Sequence, residues 1–133
     1  MAPEQEGTLP PELRAFLHSC IDSIQQVELL LLMRGSERMR TARDIAAELG
    51  IPVPAARHDV ESLAVRGLLE VKVGEEIAYR YKPKTDDLAK YSDQLAQYYI
   101  TARHAVLGFV AAESRRSIKR FSDAFRLGDR EGT

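Results

Sequence analysis

The spacing of apolar residues changes several times along this chain, and each change marks an element. Leu13, Leu17, Cys20, Ile24, Val27 and Leu31 recur at spacings of 4, 3, 4, 3 and 4, a helical stripe widened by Phe16, Ile21 and Leu30. Pro11 suits the first turn of that helix, where its missing N–H costs nothing, and Glu12 favours the positive end of the helix dipole. Ser23 and Gln26 have capping-box spacing, which allows a break near Ile21–Asp22, and Arg34-Gly35-Ser36 ends the segment. Thr41 with Asp44 is a second capping box and opens a helix over Ala42–Leu49, with Ile45, Ala46 and Leu49 inward. Gly50 suits the left-handed conformation that closes a helix. After the turn Gly50-Ile51-Pro52 a further helix runs from Val53 or Pro54 to Arg66, with Ala56, Val60 and Leu63 inward, and Gly67 closes it in the same way.

The period then becomes two. Leu69, Val71 and Val73 alternate with Glu70 and Lys72, and Ile77, Tyr79 and Tyr81 alternate with Ala78 and Arg80. A three-residue loop, Gly74-Glu75-Glu76, sets Val73 opposite Ile77, Val71 opposite Tyr79 and Leu69 opposite Tyr81. A two-residue loop would mix the apolar and polar faces, so the longer loop is preferred. Both strands are predicted to be half-buried.

Beyond Pro83 the helical period returns, with Thr85 or Asp86 as cap. Leu88, Tyr91, Leu95, Tyr98, Ala102, Ala105 and Phe109 recur at spacings of 3, 4, 3, 4, 3 and 4. Tyr99, Ile100, Val106, Leu107 and Val110 make much of the remaining surface apolar, and a helix apolar all round is covered from several sides. One small domain cannot supply that cover, so a partner subunit is implied. Leu88, Tyr91, Leu95, Tyr98, Ala102, Val106 and Phe109 are the dimerisation candidates. A last amphipathic helix is predicted from about Ser114 to Phe125, with Arg115, Arg116, Lys119 and Arg120 outward. This organisation divides the chain into a loose arm over 1–9, a helical and helix-turn-helix region with hairpin over 10–83, and C-terminal dimerisation helices over 84–133.

The order helix, tight turn, helix, β-hairpin between Thr41 and Pro83 is the plan of a winged helix-turn-helix, in a mostly α fold. By Leu68 the pattern resembles the MarR-type and related bacterial winged-helix regulators. The residues carrying the likeness are Ile45-Ala46-Ala47-Glu48-Leu49-Gly50-Ile51, Val60, Leu63 and Arg66-Gly67-Leu68-Leu69, within roughly 23–82. The resemblance implies a homodimer, with terminal helices at its interface, that binds a pseudo-palindromic operator in double-stranded DNA. It implies that the helix from Val53 to Arg66 enters the major groove and that the hairpin tip approaches the minor groove.

The chain departs from that family in its contact residues. Family members usually start the second helix of the motif with Ser or Thr; here Pro52, Val53, Pro54 and Ala55 offer no side-chain donor. The donors on this helix are Arg57, His58, Ser62 and Arg66, and Arg57 is the best base reader because a guanidinium grips guanine O6 and N7 with two bonds. Arg34, Arg38, Arg40 and Arg43 cluster ahead of and into the preceding helix as candidate phosphate contacts; an ordinary solvated loop is their other reading. Asp59, Glu61 and the wing tip Glu75-Glu76 would repel a phosphate surface. These departures motivate an alternative function, a winged-helix protein-interaction module that does not bind DNA.

Composition narrows the remaining classes. The 133 residues suffice for one core, and 44% hydrophobic with 29% charged residues describes a globular chain. Net charge is −1, and its distribution makes no strong electrostatic footprint: Arg14 stands against Glu4, Glu6, Glu12, Asp22 and Glu28, while later segments are near neutral or slightly basic. The run Leu29–Met33 is too short to span a bilayer, the N-terminus lacks a secretory pattern, and one cysteine, Cys20, cannot make an intrachain disulfide, so a cytoplasmic protein is expected. His18, His58 and His104 lack metal-ligand spacing, no catalytic motif is present, and neither cofactor nor enzyme activity is expected. Tyr79, Tyr81, Tyr91, Tyr98 and Tyr99 are candidates for lining a small-molecule effector pocket between the helix-turn-helix and the terminal helices, with core and interface packing as the other reading.

Overall fold

The structure, a computed structural model, describes residues 8–116. Its elements are α1 (Pro11–Cys20), α2 (Ile24–Arg34), β1 (Arg40–Thr41), α3 (Ala42–Leu49), α4 (Val53–Val65), β2 (Leu69–Val73), β3 (Ile77–Tyr81), α5 (Asp86–Thr101) and α6, helical from 103 to 116. The arrangement is a winged helix-turn-helix flanked by helices on both sides, mostly α with one small antiparallel sheet.

Local chemistry explains the boundaries. The break between α1 and α2 falls where Ser23 Oγ accepts the Gln26 N–H. Gln26 Oε1 takes a different donor, the Asp22 N–H at 2.8 Å, which braces the turn before the cap. The Thr41–Asp44 capping box is reciprocal, each side chain accepting the other's backbone N–H. Gly50 at φ 67° and Gly67 at φ 85° end α3 and α4 in the left-handed region. In both cases the next residue donates back into the helix, Ile51 N–H to Ala46 O and Leu68 N–H to Leu63 O, each at 3.0 Å.

The sheet order is β1-β3-β2, and the hairpin register is Leu69↔Tyr81, Val71↔Tyr79 and Val73↔Ile77, as the three-residue loop predicts. The two-residue β1, pairing Arg40 with Tyr79, is too short to leave a periodic signal. The half-buried reading of the strands holds only at their base. Leu69 and Tyr79 are buried, but Val71, Val73 and Ile77 are exposed, because the outer half of the hairpin projects beyond the helices as a wing.

One core unites the described elements. Leu13, Leu17, Val27, Leu30, Ile45, Val60, Leu63, Leu95 and Val106 are fully buried in it. Leu9 joins this cluster, so the segment before α1 is anchored at that point. The continuous helix expected after Thr85 is divided at Ala102, whose φ −143° and ψ 50° are not helical. This break precedes the expected start of the last helix at Ser114, which instead lies within α6. Ile118, Lys119, Arg120, Phe121 and Phe125 lie outside the described residues. The terminal helices clasp the N-terminal ones: Ser114 Oγ donates to Asp22 O at 2.7 Å, and His18 Nδ1 lies 2.9 Å from Glu113 Oε2.

Candidate nucleic-acid interface

The buried face of α4 carries Ala56, Asp59, Val60 and Leu63. Opposite them, Pro54, Arg57, His58, Glu61 and Val65 form one exposed stripe at spacings of 3, 1, 3 and 4. Arg57 and His58 therefore stand side by side facing outward, and Ser62 is half-buried at the edge of the stripe. Arg57 forms no ion pair among the described residues. A groove between α3, α4 and the wing is lined by Arg43, Arg57, Glu61, Glu76, Ile77 and Tyr79, among others. Burial raises the Tyr79 hydroxyl above its ordinary pKa; the Glu61 carboxylate adds to this and Arg57 opposes it.

The arginines ahead of α3 separate into different roles. Arg40 is 6% exposed, and its guanidinium donates to Leu32 O at 3.1 Å and lies 3.1 Å from Glu48 Oε2. It is turned inward, toward the end of α2 and Glu48 of α3, unlike the exposed Arg38 and Arg43. Arg34 reaches Asp93 of α5 at 2.9 Å, so its charge serves the contact with the terminal helices. Arg38 is exposed and lies 3.5 Å from Glu48. Arg43 is exposed and pairs with Glu76 of the wing loop. Of the four, Arg38 and Arg43 remain on an outer surface near α3.

Two charged residues of this region, Asp59 of α4 and Arg66 just beyond it, are engaged within the chain. Asp59 is 4% exposed and is bonded by Gln25 and Gln26 of α2, so it does not oppose a phosphate surface. Arg66 donates to Cys20 O at 2.8 Å and pairs with Asp22 at 3.1 Å. The signal for Asp59 was present in the sequence, since it shares the helical face of Ala56 and Leu63 at spacings of 3 and 4. No sequence signal marked Gln25 and Gln26 as its partners.

The dimerisation candidates also divide. Leu95 and Val106 are fully buried within a single copy, where they close the chain's own core, so they are not available to a partner. Ala102 is the break between α5 and α6. Leu88, Tyr91, Tyr98 and Phe109 are half-buried against the core, and Ile100 of α5 is 81% exposed. The tyrosines are dispersed: Tyr91 packs on Phe16 at 5.8 Å between centroids, Tyr99 lies under Arg103, Tyr79 lines the wing groove, and Tyr81 lines a separate recess with Glu37, Arg80 and Lys82. Burial also raises the Tyr81 hydroxyl's pKa and that of the Cys20 thiol. Among the described residues no group of His, Cys, Asp and Glu is placed to hold a metal ion, and no helix is long and apolar enough to cross a membrane.

A helix-turn-helix, a wing and helices flanking both define a winged-helix fold. The fold is that of MarR-type proteins. A mutant of MepR from an S. aureus clinical isolate superposes over 89% of this chain and 86% of its own, with TM-score 0.52 and 14% identity. A mutant of E. coli MarR covers 86% of this chain and 83% of its own, with TM-score 0.51 and 13% identity. Wild-type E. coli MarR in its apo form covers 93% and 89%, with TM-score 0.50 and 12% identity. At these identities the likeness is one of backbone architecture. No protein-family model and no curated protein sequence matches the chain.

Proposed function

We propose that this protein is a cytoplasmic transcriptional regulator that binds duplex DNA as a homodimer, with α4 laid in the major groove. The observation that carries the reading is the adjacent, outward-facing pair Arg57 and His58 on α4, with Arg57 free of any ion pair among the described residues. A guanidinium so placed suits bidentate bonding to guanine. Arg43 of α3, beside Arg57 in the groove, and Arg38 ahead of β1 suit phosphates once released from Glu76 and Glu48. Ser62, at the edge of the stripe, is a secondary contact. The fold supports the reading because the likeness to MepR and MarR extends through the flanking helices.

The homodimer is supported by apolar surface left open on the terminal helices. Ile100 stands 81% exposed, and Leu88, Tyr91, Tyr98 and Phe109 are only half covered. Burial of this open apolar surface against a second copy is the arrangement we propose. Tyr79 and Tyr81 line separate recesses, so they do not share one effector pocket.

A second reading, a winged-helix protein-interaction module without DNA binding, draws on the charge balance of the groove. Arg43 is paired with Glu76, Glu61 shares the face of Arg57, and Glu75 is exposed at the wing tip. A salt titration on generic duplex DNA decides between the two. Regulator function predicts binding at about 50 mM salt that weakens steeply as salt rises. Absence of binding there, with the dimer intact, would overturn it in favour of the interaction module.

A further inference from the structure

The inner face of α4 is apolar except for one residue. Ala56, Val60 and Leu63 pack by shape, and such contacts are non-directional. Asp59 shares that face, is 4% exposed, and meets no cation among the described residues. Both of its oxygens accept amide donors from successive residues of α2: Gln26 Nε2 donates to Oδ1 at 3.1 Å and Gln25 Nε2 to Oδ2 at 2.6 Å. Gln26 is itself fixed, because its Oε1 accepts the Asp22 N–H at 2.8 Å and its backbone N–H is capped by Ser23. With Oε1 engaged, its amide nitrogen is the group left to donate to Asp59. Two turns further along α4, Arg66 Nη1 donates to Cys20 O at 2.8 Å and Nη2 lies 3.1 Å from Asp22 Oδ1. Asp59 and the Arg66 that follows α4 thus both land on one short stretch, residues 20–26.

We propose that Asp59 and Arg66 are positioning residues, which fix the roll and axial register of α4 on a polar seat formed by residues 20–26. They thereby set the direction in which Arg57 and His58 point. Apolar packing alone tolerates small rotations of a helix; four directional bonds at two points along it do not. A buried carboxylate is a poor source of net stability, and fixing one arrangement is the use that fits it here. What the pose serves rests on the DNA-binding reading; the seat itself does not.

The test uses the full chain and two substitutions. Asp59→Leu keeps an apolar-compatible side chain and removes both bonds. Asp59→Asn keeps the shape, since Asn Oδ1 can take the Gln26 donor while its amide donates to Gln25 once that half-buried side chain turns over. In amide hydrogen exchange, Asp59→Leu is expected to speed exchange in α4 about tenfold relative to α2 and α5, and Asp59→Asn to restore protection to within about threefold. Affinity for duplex DNA should follow the same order. Unchanged exchange in α4 for Asp59→Leu would overturn the proposal. So would equal loosening of every core helix, which would mark Asp59 as a general stability element. If the unaltered protein binds no duplex DNA, the DNA reading fails by itself and the exchange data still judge the seat. If Asp59→Leu does not fold, Gln25→Ala removes one donor from a half-buried position and takes its place with the same readouts and outcomes.

Discussion

Arg43, at the start of α3, and Glu76, in the loop between β2 and β3, form an ion pair across the groove into which Arg57 projects. The pair ties the wing to the helix-turn-helix and neutralises a cation on the face proposed to meet DNA. Of the two wing-loop carboxylates, Glu76 thus has a partner within the chain, while Glu75 stands exposed.

Breaking that pair should strengthen DNA binding. Glu76→Gln leaves Arg43 free for a phosphate, and each further phosphate neutralised steepens the dependence of log affinity on log salt by about 0.9. Affinity measured across a salt series should rise severalfold at low salt, with a steeper slope. Unchanged affinity and slope would place the α3–wing groove away from the DNA backbone.

Arg57 should matter for recognition and not for folding. It is exposed and unpaired among the described residues, so Arg57→Ala should shift stability by no more than about 0.5 kcal/mol. On a cognate site the same change should cost about 1–3 kcal/mol of binding. Competition binding beside thermal melts separates the two effects.

Arg40 should behave in the opposite way. Its guanidinium is buried against Leu32 O and Glu48, although Glu48 is partly solvated. Removing it leaves Leu32 O with the Gly35 N–H alone and takes a buried partner from Glu48, and Arg40→Leu is expected to destabilise the fold by about 1–3 kcal/mol. Urea denaturation measures this. A loss of DNA affinity without a loss of stability would return Arg40 to the phosphate contacts.

The capping box of α3 carries a pH dependence. Asp44 is held below its ordinary value of 3.8, chiefly because its carboxylate accepts the Thr41 backbone N–H, with Thr41 Oγ1, Arg38 and Arg43 assisting. A carboxyl with a lowered folded-state pKa binds its proton more weakly when folded. Its stabilisation is complete above the ordinary value and is lost as pH falls below it toward the lowered one. Asp44→Asn should therefore flatten the acid limb of the melting temperature below about pH 4. Parallel acid limbs for the two proteins would contradict the assignment.

The dimer is best tested by a point substitution. A chain ending at Pro83 would lose Leu95, Val106 and Val110 from its own core and would unfold. Ile100→Glu places a charge on a side chain that is 81% exposed in one copy. Sedimentation should show dissociation with the helical signal intact, and an unchanged dimer would move the interface elsewhere.

Much of the helix-turn-helix was legible in the order of residues. Thr41 and Asp44 cap α3, Gly50 and Gly67 end two helices, and alternation about Gly74-Glu75-Glu76 sets the hairpin register; each signal lies within a few residues along the chain. Sequence order could not reveal that the hairpin's outer half escapes cover, because burial depends on where the helices end in space. The break at Ala102 was likewise hidden beneath an unbroken apolar stripe.

The candidate interface was less legible, for the same reason. The sequence by itself determined which side chains could donate to DNA and, through helical period, that Arg57 and His58 lie on one side of α4 with Leu63 on the other. Only the tertiary structure decided that Arg40, Arg66 and Asp59 are occupied inside the molecule, while Arg43 is held by Glu76. Charge and hydrogen-bonding capacity belong to a residue, but their availability depends on partners as far away in sequence as Gln25 is from Asp59, and only folding brings those together.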